Sequence, residues 1–306
     1  MKRNLRFYFA LMFARGTALV LKLIGRKGTS MPGSWAIILC PDFIGRMPKP
    51  KKIIGITGTN GKTTVSNMIE DVLEDNGIEF MCNRSGTNVA TGVASTLIAN
   101  SHFFGKPKCD LAVFELDERS APNIYPYMQP DIVLCTNIFR DSYKRNAHAE
   151  FILDILNKEI PKNTKLVLNG DDPLCSSIKP ENDRVYFGID HLDTDKKECD
   201  NIVNDVPACP KCHGPLVHDI VRYHHIGRVH CEACGYRSPD IDYLATDIDT
   251  KDMKMNVAEG GKESEYPLLN STNINIYNAL AAIATLREFG LSEEKIRNSM
   301  EKMGIS

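Results

Sequence analysis

Four short apolar runs punctuate the chain: "IIGITG" (53–58), "LAVFEL" (111–116), "DIVLCTNI" (131–138) and "KLVLNGDD" (165–172). Each is bounded by turn residues and is continuous rather than alternating, as expected of strands buried on both faces of a parallel sheet. Between them lie stretches with helical spacing. In "GKTTVSNMIEDVLEDNG" the apolar positions Val65, Met68, Ile69 and Val72 line one face, and Gly77 is a stop signal. "AEFILDILNKEI" is a second such stretch. This alternation predicts an α/β fold around a central, mainly parallel sheet. The pattern breaks near residue 200, where a segment rich in Cys, His and aromatic residues begins. Helical spacing returns in "INIYNALAAIATLREFG" and "SEEKIRNSMEKMG", with Ser292 as N-cap and Glu293 and Glu294 favourable in the first turn. The expected organisation is an N-terminal helix and connector (1–48), an ATP-binding domain (49–200 and 241–306) and an insert (201–240).

The amino end departs from this alternation. The first 41 residues contain no acid and seven cations: Lys2, Arg3, Arg6, Arg15, Lys22, Arg26 and Lys27. "LRFYFALMFARGTALVLKLIG" is interrupted by Arg15 and Lys22, which disfavours a membrane-crossing helix and predicts no transmembrane segment. No small-residue cleavage site follows it cleanly, so a signal peptide is a poor match. The expectation is an amphipathic helix docked on the domain, with a basic face against an anionic membrane as the sharper alternative. "PGSWAIILCPDFIGRMPKPKK", with four prolines, is expected to be a connector.

Composition narrows the class without deciding it. With 42% hydrophobic residues, 25% charged residues and a net charge of -2, nothing overall points to nucleic acid as a partner. Four of the ten cysteines form CxxC pairs, and several others sit in apolar runs, which favours a reducing, cytoplasmic compartment over secretion.

The octet "TGTNGKTT" (57–64) follows a predicted strand and opens a predicted helix. Such a turn presents backbone N–H groups to one anion. Gly58 and Gly61 let the backbone approach phosphate oxygens; Thr59, Asn60 and Thr64 complete the loop. Lys62 would place a cation on the β- and γ-phosphates, and the Thr63 hydroxyl would ligate Mg²⁺. The usual phosphate loop has a glycine five residues before Gly61, but Ile56 stands there. Glu115 ends "LAVFE" at the carboxyl edge of a strand, where open α/β sheets bind ligands, and offers a hard oxygen to Mg²⁺. Asn275 and Asn278 lie three apart on one helical face and could read an adenine edge, although helix capping is an alternative for Asn275. "NGDDP" (169–173) is either a turn near the nucleotide or a solvated Asp turn.

Cys209-x₂-Cys212-x₁₈-Cys231-x₂-Cys234 has the spacing of a four-thiolate Zn²⁺ ribbon, with Gly214 and Gly235 expected to make the tight turns beyond each knuckle. Four cysteines close a tetrahedral site, which makes it structural; a redox dithiol usually needs one CxxC.

The shortened octet resembles that of the Mur ligase superfamily over roughly residues 50–190 and 265–300. The resemblance implies carboxylate activation by ATP to an acyl phosphate and attack by an amine. It implies catalytic roles for Lys62, Thr63 and Glu115 and adenine contacts for Asn275 and Asn278. After the next strand the superfamily usually has Asp-His; here Asp141 precedes Ser142, which puts the second metal site in question. Together with the ribbon and "MPGSWAIILCPD", the whole chain resembles the synthetase subunits of lipid II isoglutaminyl synthases. That resemblance implies a glutaminase subunit as partner supplying ammonia. It also implies lipid II as substrate at the inner membrane face, and amidation of the α-carboxyl of D-glutamate in the stem peptide. That family has a further C-terminal domain beginning about where this sequence ends, so ATP and zinc binding are expected of these residues and little amidation. Alternatives are another carboxylate–amine ligase of the Mur or folylpolyglutamate synthetase type, or a zinc-ribbon nucleic-acid-binding ATPase. The ribbon argues against the first pair, and the lack of a long basic tract against the last.

Overall fold

The computed structural model describes residues 1–26, 28–84, 86–140, 149–198, 206 and 208–304. Three helices open the chain: α1 (Leu5–Leu23), α2 (Met31–Leu39) and α3 (Phe43–Arg46). The alternating part follows as β1 (Lys52–Thr57), α4 (Lys62–Asp75), β2 (Phe80–Cys82), α5 (Ala90–Ala99), β3 (Leu111–Glu115), α6 (Ala121–Ile124) and β4 (Ile132–Cys135). It continues through α7 (Ala149–Glu159), β5 (Lys165–Asn169) and β6 (Arg184–Ile189). A hairpin of β7 (Val217–Tyr223) and β8 (Ile226–His230) precedes β9 (Tyr243–Asp249), β10 (Lys254–Glu259), β11 (Lys262–Pro267), α8 (Asn273–Phe289) and α9 (Glu293–Met303).

Among the described residues nine strands form one sheet in the order β11-β10-β9-β6-β5-β4-β1-β3-β2. The pairings from β2 to β9 are all parallel, and β10 and β11 add an antiparallel edge. The continuous apolar runs follow from burial on both faces. Ile53, Phe114, Val133 and Leu168 face a core shared with α1, α2 and α7. Ile54, Val113, Leu134 and Val167 face a second core under α4, α8 and α9. Because β1 lies between β3 and β4, the chain turns to opposite sides of the sheet there. Loops from both halves therefore meet above its carboxyl end.

Most sequence boundaries survive. Ser292 caps α9 by accepting from the Lys295 amide, and α4 ends before Gly77, whose φ is +68°. Three expectations do not. The proline-rich "connector" contains α2 and α3: Pro32 sits in the first turn of α2, where its missing N–H costs nothing. Gly33 then lets α2 cross α5 so closely that a Cβ would fall 1.9 Å from the Thr91 carbonyl oxygen. Secondly, α1 does dock through Phe7, Ala10, Leu11 and Ala14, but its outward face is largely apolar, not simply basic. Thirdly, neither aspartate of "NGDDP" is solvated; Asp171 and Asp172 are fully buried.

Candidate active site at the carboxyl edge of the sheet

The loop between β1 and α4 is staked from below by the residues after β4. The Thr59 amide donates to the Asn137 carbonyl at 2.8 Å, and the Asn60 amide to Asn137 Oδ1 at 2.9 Å. Thr136 Oγ1 and Asn137 Nδ2 both donate to the Asn60 carbonyl, at 2.6 and 3.0 Å. The Phe139 amide donates to Thr59 Oγ1 at 2.9 Å. Gly58 (φ +120°) has no room for a side chain, since a Cβ would lie 2.2 Å from Thr136 Oγ1. Gly61 (φ +85°) is equally constrained, by Asn278 Oδ1 at 2.3 Å. Both glycines are therefore required by close approach as well as by backbone conformation.

Lys62 opens α4 with its ammonium folded back into the loop. It donates to the Gly58 carbonyl and lies 3.1 Å from Glu118 Oε1. Glu118 had no role in the sequence reading, yet it is 7% exposed and its Oε1 accepts from the Gly58 amide at 2.6 Å and from Thr57 Oγ1 at 3.2 Å. A carboxylate thus sits against the loop expected to bind an anion. Burial pushes its pKa above the ordinary glutamate value, with the facing Lys62 pulling the other way. The only cue in the sequence was its place three residues after Glu115, within the polar stretch "LDERS".

The expected magnesium pair is brought together. Thr63 Oγ1 donates to Glu115 Oε2 at 2.8 Å, while Asn88 Nδ2 donates to Glu115 Oε1 at 3.0 Å. Asn83 fixes the strand end by bonding both the amide and the carbonyl of Glu115, each at 2.9 Å. Two oxygens about 3 Å apart match neighbouring positions of an octahedral Mg²⁺ shell with ligand distances near 2.1 Å. Thr64 lies exposed on the same turn. Asp141 and Ser142, at the questioned second metal site, fall outside the described residues. Beside the pair is a cavity of about 490 Å³ lined by Thr59, Lys62, Asn88, Asp117, Glu118 and Arg119.

On the other side of the loop stands the start of α8. Asn278 is buried, and its Nδ2 donates to Asn275 Oδ1 at 3.3 Å. Asn275 Nδ2 donates in turn to Thr272 Oγ1, the helix N-cap, at 2.8 Å. Asn275 is thus both next to the loop's partner and part of the helix start.

The insert is attached beneath this site. The four sulfurs of Cys209, Cys212, Cys231 and Cys234 all lie within 4.8 Å of one another, with two pairs at 3.6 Å. Tetrahedral Zn²⁺ with bonds near 2.3 Å needs sulfurs about 3.8 Å apart, so the donor set fits that ion. The Lys211 and Gly214 amides point at Cys209 and Cys212 sulfurs, each at 3.4 Å. The left-handed residue beyond the first knuckle is His213 (φ 58°), not Gly214; beyond the second it is Gly235 (φ 70°). Arg222 of β7 donates to Asp171 Oδ2 at 2.9 Å and Asp195 Oδ1 at 3.1 Å, with none of its side chain exposed. Tyr277 of α8 donates to the same Asp171 oxygen at 2.8 Å. Asp172 accepts from the Ile138 amide at 2.7 Å, and Phe139 packs on His225 with ring centres 4.6 Å apart. The "NGDDP" turn therefore does not face solvent. It joins the ribbon, α8 and the stretch that stakes the loop.

The Mur ligase middle domain family matches residues 56–205. The MurT subunit of lipid II isoglutaminyl synthase (glutamine-hydrolyzing) of Staphylococcus aureus strain COL is 32% identical over 301 residues, covering 97% of this chain and 66% of the relative. Its Streptococcus pneumoniae R6 counterpart is 35% identical over 306 residues, covering 98% and 66%. The chain spans just under two thirds of the length of these relatives. A pseudomurein peptide ligase type C from Methanothermus fervidus superposes with a TM-score of 0.68 at 27% identity, over 86% of this chain and 51% of that one. MurF ligase from Thermotoga maritima, solved in complex with ADP, shares the fold with a TM-score of 0.53 at 15% identity, over 87% and 52%. By sequence match and by fold, the chain belongs to the Mur ligase family.

Proposed function

We propose that the chain is the ATP-using part of a ligase that forms a carbon–nitrogen bond, and that its product is an amidated peptidoglycan precursor. The observation that carries the reaction class is the Thr63–Glu115 pair at 2.8 Å beside Lys62 in the loop. The substrate is inferred from the relatives: lipid II, amidated at the D-glutamate α-carboxyl with ammonia from a glutaminase subunit.

The loop amides and Lys62 hold the triphosphate and balance charge as the γ-phosphoryl group moves. Mg²⁺, held by Thr63 and Glu115, would draw charge from the phosphate oxygens. Asn88 keeps the Glu115 carboxylate turned toward Thr63. Arg119 and Asn88, on the wall of the adjoining cavity, take the acceptor carboxylate. A carboxylate oxygen attacks the γ-phosphorus and ADP leaves. Ammonia then attacks the acyl carbon, inorganic phosphate leaves with the bonding pair, and the nitrogen loses a proton. Asn275 and Asn278 meet the adenine edge, and the four cysteines hold Zn²⁺ in a closed structural site.

The test uses the longest natural form of the chain with a glutaminase subunit, Mg-ATP, glutamine and lipid II, with the stem peptide read by mass spectrometry. The expected result is conversion of the glutamate carboxyl to an amide, abolished by Lys62→Ala. ATP hydrolysis without amidation would overturn the substrate while leaving the ligase centre. Amidation that persists in Lys62→Ala would overturn the site.

A further inference from the structure

Helix α1 is apolar on both sides. Phe7, Leu11 and Leu21 point inward and are buried. Leu5, Phe9, Phe13, Val20 and Leu23 point outward, within an arc of about 80° at roughly 100° per residue. They are far from buried: Leu5 is 89% exposed, Phe9 63% and Leu23 78%. A helix apolar all round is ordinarily covered all round. The outer stripe also continues beyond the helix. Phe13 meets Trp35 of α2 with ring centres 5.6 Å apart, and Trp35 is itself 41% exposed. On the other flank the Arg15 guanidinium lies 5.7 Å from the Phe103 ring, which packs on Phe104 at 5.1 Å; both rings are exposed. This is one connected surface, not scattered residues.

The charges around it are of one sign. Arg6 borders the stripe on one side, and Arg15 and Lys22 on the other. Among the described residues none of the three is in an ion pair. Arg15 and Arg6 instead donate to backbone carbonyls, of His102 and Leu39. No acid occurs before Asp42. We propose that the outer face of α1, with Trp35 and the Phe103–Phe104 turn, seats on an anionic lipid leaflet. α1 would lie in the interface plane with its apolar stripe among the acyl chains and its flanking cations at the headgroups. A second copy fits less well, because pairing two such faces would oppose cations with no acid between them. Insertion across the bilayer is not implied: among the described residues no helix is long and apolar enough to span it.

The proposal does not depend on the amidation reading, because the probe vesicles contain neither lipid II nor ATP. Flotation is measured with vesicles of phosphatidylglycerol and phosphatidylcholine, with phosphatidylcholine alone, and at low and high salt. The expected result is binding to the anionic vesicles, weakened by salt and reduced at least tenfold in the double variant Phe9→Glu/Phe13→Glu. Both side chains are exposed, and unchanged nucleotide affinity in that variant verifies its fold. No binding to anionic vesicles, equal binding to phosphatidylcholine, or binding undiminished in the variant would each overturn the proposal. Concentration-dependent self-association without vesicle binding would assign the face to a second copy. Vesicle binding by these 306 residues that is absent from the longest natural form would assign the face to another part of that chain.

Discussion

Lys62 has a partner that no phosphate loop needs: the buried carboxylate of Glu118, 3.1 Å away. An incoming triphosphate must compete with it for the same ammonium. Glu118→Gln keeps the acceptor for the Gly58 and Thr57 donors but removes the negative charge. It should tighten ATP binding by about 1 kcal/mol, roughly fivefold, as read by calorimetry. Lys62→Ala should do the reverse and weaken binding by about 2 to 3 kcal/mol, the scale of a charge-assisted contact. The pH dependence has a definite sign. Burial holds the Glu118 pKa above the usual glutamate value, so the group is charged above that raised pKa and neutral below it. The affinity gap between wild type and Glu118→Gln should therefore be full above that raised pKa and close as pH falls through it. A gap that widens on acidification would refute the competition. The places of Lys62 and Thr63 were legible because the octet marks the strand-to-helix turn within eight residues. Glu118 was not, because its meaning comes from a contact with a loop 56 positions away.

The β7–β8 hairpin shows what spacing reveals and what it hides. CxxC spacing announced a four-sulfur cluster, and the sulfurs do converge. Nothing in that spacing announced that Arg222 would be buried against Asp171, or that Tyr277 would share the same carboxylate. The prolines before β1 misled in the opposite direction, since the same residue type that breaks a helix interior is at home in the first turn of α2. Removing Arg222 leaves Asp171 buried with less compensation for its charge, a loss of roughly 3 to 5 kcal/mol for a broken buried pair. Arg222→Met should accordingly lower the urea midpoint strongly. It should also weaken ATP binding several-fold, because Asp171 is tied to α8 and Phe139 connects the hairpin tip to Thr59. Stripping the proposed Zn²⁺ with a chelator should have the same two effects in milder form, with the folded fraction followed by circular dichroism. Loss of zinc with unchanged nucleotide affinity would separate the ribbon from the site.

At the level of the molecule, the sheet divides two cores, and the candidate site is assembled from loops of β1, β3 and β4 together with α8. Strands β1, β3, β4 and β5 were legible because burial on both faces leaves continuous apolar runs, whereas the short β2 and the half-exposed start of β6 leave none. The β9–β11 edge was missed because its strands are partly exposed and mix charged with apolar residues, as in "KMNVAE". That edge lies at the opposite end of the strand order from β2, beyond β6 and away from the phosphate loop. A ligand that binds only the folded state at a hundred times its Kd stabilises it by about 2.7 kcal/mol. Local opening need not report that gain evenly, however, because segments open independently of the whole. Hydrogen exchange with a non-hydrolysable Mg-ATP analogue should slow most in residues 57–64, in 136–139 and at the start of α8. The outer strands β10 and β11 should change little. The metal dependence belongs to the same experiment: with Glu115→Gln, protection of the loop should persist but lose most of its response to Mg²⁺, since the carboxylate beside Thr63 becomes a neutral amide. Protection confined to α8, or an unaltered Mg²⁺ response in that variant, would mean that the nucleotide does not bridge the two halves of the sheet at Thr63 and Glu115.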